Sequence, residues 1–130
     1  MGEPVVSASI DAVVTEADTA RALGSGDLAV LGTPRAVALP EAATVAAAAG
    51  LLEAGQTTVG TRVELDHLAP SPVGARVTAE AVLAGRAGRA GRMLTFEVRV
   101  IQDGRVVASG TVIRAVVDRA RFQASTDVRG

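Results

Sequence analysis

The sequence predicts an α+β chain in which one long helix lies against a five-stranded antiparallel sheet. Three observations carry this prediction. A single Ala- and Leu-rich run, Arg35 to Ala54, has helix-forming composition and a helix-start signal in front of it. Four other segments alternate side chains with the period of two that a strand requires, and a fifth, Arg105 to Val117, is apolar on both sides. The order is strand, helix, then four strands, which places the one major helix on a single face of an antiparallel sheet.

The first strand is read at Val5 to Val14, with Val6, Ala8, Ile10 and Ala12 on one side and Val5, Ser7, Ser9, Asp11 and Val13 on the other. Thr15 to Leu31 reads as a loop, with a helical turn near Thr19 to Leu23 and a turn at Gly24-Ser25-Gly26-Asp27. Thr33 is the expected N-cap of the long helix, Pro34 its first residue and Gly55 its left-handed end. Pro40 removes one internal hydrogen bond and predicts a bend, or a helix that effectively begins there. Thr57 to Leu68 places Val59, Val63, Leu65 and His67 on one face and Arg62, Glu64 and Asp66 on the other. Ala75 to Leu83 and Arg92 to Gln102 alternate in the same way, and Ala84 to Gly91 reads as a flexible Gly/Arg-rich connector. Asp103-Gly104 is a two-residue hairpin signal. Arg105 to Val117, apolar on both sides, is expected inside the sheet or at a subunit interface, and the polar residues 118–130 are expected to fray.

The 130 residues suit one domain with one core. Composition then removes whole classes of function. No cysteine is present, which excludes disulfides, thiolate metal sites and cysteine nucleophiles. One histidine per chain does not build a multi-imidazole zinc site, so no metal is expected. A net charge of −1 and only two aromatic residues argue against nucleic-acid binding, which draws on phosphate neutralisation and base stacking. No apolar run reaches the ~20 residues of a membrane span. Nor does the start carry the positive and apolar regions of a signal peptide, so a cytoplasmic location is expected.

Few residues are left for chemistry. His67, the sole histidine, stands at a strand end before Ala69-Pro70-Ser71-Pro72. Its plain reading is a satisfied, half-buried core residue; its functional reading is proton transfer near pH 7. Glu41 opens a nearly uncharged stretch, either as a solvated helix residue or as a carboxylate held near the core. Thr33 needs no role beyond capping, although a helix start also offers free N–H groups to an anion. The connector is either a plain loop or a place where Arg86, Arg89 or Arg92 meets the phosphates of a ligand such as coenzyme A.

These stretches together resemble a known family. Thr19-Ala20-Arg21, Gly24-Ser25-Gly26-Asp27, Val30 to Pro34 and Leu39 to Ala43, followed by Val59-Gly60-Thr61, His67 to Gly74, Gly110-Thr111 and Arg114 to Val117, resemble the fluoroacetyl-CoA thioesterase-like family of hot-dog-fold thioesterases. The resemblance spans roughly Thr19 to Phe122. It implies a hot dog fold, and hydrolysis of a short or medium acyl-CoA without any cofactor beyond the substrate's own coenzyme A. It also implies a homodimer, with a dimer of dimers left open. The family's catalytic threonine, glutamate and histidine fall on Thr33, Glu41 and His67. Its acyl-side glycine falls on Gly60, and Arg86, Arg89 and Arg114 join Gly60 as substrate-binding residues. The resemblance also implies that fluoroacetyl-specific members carry a phenylalanine-lined lid before the helix; the corresponding segment, Gly24 to Leu31, holds no aromatic residue, so a fluoroacetyl group is not the expected substrate. A non-catalytic acyl-CoA binding or sensing domain is the alternative that the same fold permits.

Overall fold

A computed structural model describes residues 4–126. Its strands are β1 (Ser7–Val13), β2 (Gln56–His67), β3 (Arg76–Ala87), β4 (Met93–Gln102) and β5 (Arg105–Asp118). Its helices are α1 (Ala20–Leu23), α2 (Thr33–Ala48) and α3 (Arg119–Ala124). The strands form one antiparallel sheet in the order β1-β3-β4-β5-β2, and α2 lies along one face of it. This is the hot dog architecture. Among the described residues no helix is long and apolar enough to cross a membrane.

Small side chains let the helix sit close to the sheet. Ala36, Ala43 and Ala48 are fully buried against a layer built by Leu94, Phe96, Val100 and Val112. Apolar burial of this kind contributes about 25 cal/mol per Å². The helix packs mainly on β1 and β3, and the inner face near β2 is covered less, so Val63 and Leu65 are only half-buried. The Asp103-Gly104 turn forms as the sequence predicts, with φ of 50° and 74°, and β5 lies inside the sheet between β4 and β2.

Several expectations need correction. Gly32, not Thr33, is the N-cap of α2, and Thr33 is the first helical residue. Its hydroxyl is occupied elsewhere, as described below. The helix runs through Pro40 without a break, and that residue is buried among the packing side chains. The α-helix stops at Ala48 and is followed by a 3₁₀ turn, Ala49–Leu51, so Ala54 is outside it. The Gly/Arg connector is partly strand, since β3 extends to Ala87 and a 3₁₀ turn, Arg89–Gly91, closes the hairpin. Of the tail expected to fray, Asp118 ends β5 and Arg119–Ala124 form α3; residues 127–130 lie outside the described residues.

The most consequential correction concerns β2. Gly60 pairs with Arg114 and Arg62 with Ile113, leaving Thr61 as an extra residue in a β-bulge. The bulge reverses the alternation. Thr58 and Gly60 therefore share the helix-facing side with Val63, Leu65 and His67, and Val59 goes to the outer side instead.

Candidate active site

Two side-chain groups are held between α2 and β2. At the start of the helix, Thr33 Oγ1 and His67 Nδ1 are hydrogen-bonded at 2.9 Å. Thr33 is placed there by the turn that precedes α2: the Gly32 N–H donates to the Asp18 carbonyl, and the Leu31 N–H to the Ser71 carbonyl, both at 2.8 Å. His67 is the last residue of β2, directed to the helix side by its register opposite Ala108. Its Nε2 is buried and has no hydrogen-bond partner. A cleft of about 260 Å³ adjoins the pair, lined by Ala20, Val30, Leu31 and Leu68 among others. That lining carries no aspartate, glutamate, lysine or arginine.

Farther along the helix, Glu41 meets the middle of the sheet. Arg114, only 6% exposed, donates from Nη1 to Glu41 Oε2 at 3.3 Å. Its Nε donates to Thr58 Oγ1 at 2.8 Å and its Nη2 to the Thr58 carbonyl at 3.3 Å. Burial pushes the Arg114 guanidinium below its ordinary pKa, and the Glu41 carboxylate opposes that shift. Gly60 faces the same carboxylate: a Cβ built there would lie 2.7 Å from Glu41 Oε2. The absence of a side chain at Gly60 is what leaves room for Glu41.

The structure thus joins Thr33 to His67, and joins Glu41 to Gly60 and Arg114. The two groups are separate within one chain, because eight residues of helix, about 12 Å, lie between Thr33 and Glu41. Arg86 and Arg89 are exposed on the β3–β4 hairpin, away from both. Thr58 carries no direct mark in the sequence. Its signal is indirect: Arg114 interrupts an apolar strand, and a buried cation needs acceptors. The bulge that supplies them has no mark in the residue pattern. A larger hollow, about 570 Å³, lies on the outer face of the sheet by Glu80, Glu97, Arg99 and Thr111. It is an open trough crossed by the Arg99–Glu80 ion pair and contains none of the site residues.

The chain is similar to proteins of known family and structure. The profile of a family described as FlK, fluoroacetyl-CoA-specific thioesterase, matches residues 14–120. No protein of curated function matches the chain. Among solved structures, that of the fluoroacetyl-CoA thioesterase FlK is 34% identical, covers 96% of each chain and superimposes with a TM-score of 0.81. A mutant of that enzyme in complex with fluoroacetate and CoA is 31% identical over 93% of this chain and 99% of the other, with a TM-score of 0.83. A Thermus thermophilus thioesterase superfamily member is 25% identical over 95% and 89%, with a TM-score of 0.85.

Proposed function

Given that the chain belongs to the FlK fluoroacetyl-CoA-specific thioesterase family, we propose that it hydrolyses a short or medium acyl-CoA to the free acid and coenzyme A, with Glu41, His67 and Thr33 as its catalytic residues. The observation that carries this reading is the Glu41 carboxylate held by buried Arg114 over Gly60, whose lack of a side chain leaves room for it. Glu41 takes a proton from water as the water oxygen attacks the thioester carbonyl carbon, or attacks that carbon itself to give an anhydride that water then cleaves. The oxyanion is received by backbone N–H groups at the helix start or near Gly60. As the C–S bond breaks, His67 hydrogen-bonds the departing sulfur, and the proton that water gives up in either route ends on that sulfur, which returns Glu41 to the carboxylate. In the tautomer this role needs, Thr33 donates to Nδ1 and the ring's one hydrogen stands on Nε2, the nitrogen with no protein partner. Oxygen-labelled water in a single turnover separates the two routes, since only the anhydride leaves label in Glu41.

Catalysis requires both halves of the site, and one chain keeps them about 12 Å apart along the helix. The working unit is therefore a homodimer. β2 is a 12-residue edge strand, with Gly60, Thr61, Arg62, Glu64 and Asp66 exposed. An edge of that length is a template for pairing. Two-fold antiparallel pairing of β2 with its copy, about an axis near Val63–Glu64, brings Gly60 and Glu41 toward His67 of the partner subunit. It also covers the half-buried Val63 and Leu65. The reading places the protein in the cytoplasm with a substrate acyl group other than fluoroacetyl, since the cleft beside His67 is lined without aromatics. Thiol release over a panel of acyl-CoAs tests it. A preferred acyl chain hydrolysed by the parent and spared by Glu41→Gln supports the proposal; tight binding without turnover of any acyl-CoA would make the chain a sensing domain instead.

A further inference from the structure

The catalytic reading leaves one cluster of charge without a role. Among the described residues, Arg21, Arg35, Arg62, Arg99 and Arg114 each face a carboxylate within ion-pair distance. Seven other arginines do not, and five of these gather at one end of the sheet. Arg86, Arg89 and Arg92 lie on the β3–β4 hairpin; Arg119 and Arg121 lie on α3, directly after β5. All five are exposed. The Val116 N–H donates to the Arg92 carbonyl at 2.8 Å, which ties the hairpin to the end of β5. The Arg119 N–H donates to the Gly55 carbonyl at 2.9 Å, which ties α3 to the start of β2. Glu53 and Asp118 are the acidic residues of this end. In a chain of net charge −1 this is a local reversal of sign.

The hairpin is built to hold its arginines together. Gly88, Ala90 and Gly91 all have positive φ, and Arg86 Nε donates to the Gly91 carbonyl at 3.3 Å, so the turn is tight and its two arms stay adjacent. The register places this cluster relative to the catalytic carboxylate. Gly60 pairs with Arg114, Arg114 with Leu94, and Leu94 with Arg86, so these four residues form one row across the sheet. Three strand spacings separate Gly60 from Arg86, about 14 Å. That span is of the order of the extended pantetheine arm between the thioester sulfur of coenzyme A and its diphosphate. Guanidinium forks are suited to phosphate oxygens, which they bind in bidentate fashion.

We propose that this arginine cluster binds the phosphates of the coenzyme A half of the substrate, in the same subunit whose Glu41 faces the acyl carbon. The proposal rests on the thioesterase reading and adds a second, remote binding element to it. Arg119 and Arg121 belong to it as much as the hairpin does.

The test compares one acyl group on two carriers. The full chain and two variants, Arg86→Ala/Arg89→Ala/Arg92→Ala and Arg119→Ala/Arg121→Ala, are assayed with hexanoyl-CoA and with hexanoyl-pantetheine, which has no phosphate. Each variant is expected to raise the KM for hexanoyl-CoA at least about tenfold, with kcat nearly unchanged, since hydrogen bonds to charged groups are the strong ones. The KM for hexanoyl-pantetheine stays at the parent value. Added salt raises the parent's KM for hexanoyl-CoA and barely moves the variants'. An unchanged hexanoyl-CoA KM in well-folded variants overturns the proposal. So does an equal loss with both carriers. If the parent hydrolyses neither thioester, the catalytic reading fails by itself. Calorimetric binding of free coenzyme A, weakened in the variants, then still decides the arginine cluster.

Discussion

Arg114, buried in β5, donates to the carboxylate of Glu41 on α2 at 3.3 Å, across 73 positions of the chain. Two further bonds to Thr58 fix the guanidinium in one orientation. Arg114→Lys is expected to lower kcat about tenfold or more, because a single ammonium does not reproduce the fork that reaches Thr58 and Glu41 together. Arg114→Ala is expected to lose more and to melt earlier. The kcat loss of the lysine variant, at a KM close to the parent's, is what identifies Arg114 as a positioning residue.

Gly60→Ala places a Cβ against Glu41 Oε2 and forces the carboxylate away. Misplacement of a reacting group by about 1 Å costs on the order of 10²-fold in rate. Steady-state kinetics should show that loss while the circular dichroism spectrum keeps its parent shape. Parent-like turnover would mean that Glu41 does not act from the position it holds over Gly60.

The Thr33–His67 bond predicts a graded series. Thr33→Ser keeps a hydroxyl and should keep activity within a few-fold. Thr33→Val removes a hydrogen bond worth about 0.5–1.5 kcal/mol, which is up to about tenfold in rate if it is needed in the transition state. The kcat values of the two variants against parent provide the check.

A composite site makes a prediction about mixtures. Glu41→Gln and His67→Ala chains are each expected to be inactive. In a two-fold dimer whose sites combine Glu41 of one chain with His67 of the other, each mixed dimer has one intact site and one doubly damaged site. Unfolding and refolding an equal mixture should therefore recover about a quarter of parent activity. No recovery would place both residues in one chain's site.

Much of this was legible in the residues, for reasons that can be named. α2 was found because Thr33-Pro34 and the Ala-rich run agree on where a helix starts. β5 was expected inside because Val112, Ile113, Ala115 and Val116 leave it no polar face. The strand phase of His67 puts it on the inner face, where the structure has it. Phase alone puts Gly60 on the opposite face from His67; the Thr61 bulge reverses it, and a bulge is set by pairing with β5. The Arg114–Glu41 bond was hidden for the same reason, since it depends on which residues of distant elements come into register. Thr33 was expected to cap the helix, but Gly32 does so, and the hydroxyl is free for His67.

The chain entering α2 is anchored by Asp18. Its carboxylate accepts from the Thr15 N–H at 2.8 Å and hydroxyl at 2.9 Å, and lies 3.0 Å from Arg35 Nε. Burial alone would push this carboxyl up; the Thr15 bonds and Arg35 outweigh it and hold its pKa below the usual value of 3.8. A carboxyl depressed on folding stabilises fully above its unfolded pKa and ceases to do so as pH falls through the folded one. Denaturant midpoints from pH 6 to pH 2 should fall on this acid limb for the parent. Asp18→Asn should start lower at neutral pH and show a shallower fall below about pH 4.

The most direct measurement is thiol release from acyl-CoA by the parent, Glu41→Gln and His67→Ala. The sequence contains no cysteine, so the protein itself is silent to a thiol reagent. Turnover of at least one short or medium acyl-CoA by the parent, reduced on the order of 10²-fold or more in both variants, is the predicted result. Equal turnover by all three proteins would contradict the assignment of Glu41 and His67 to the reaction.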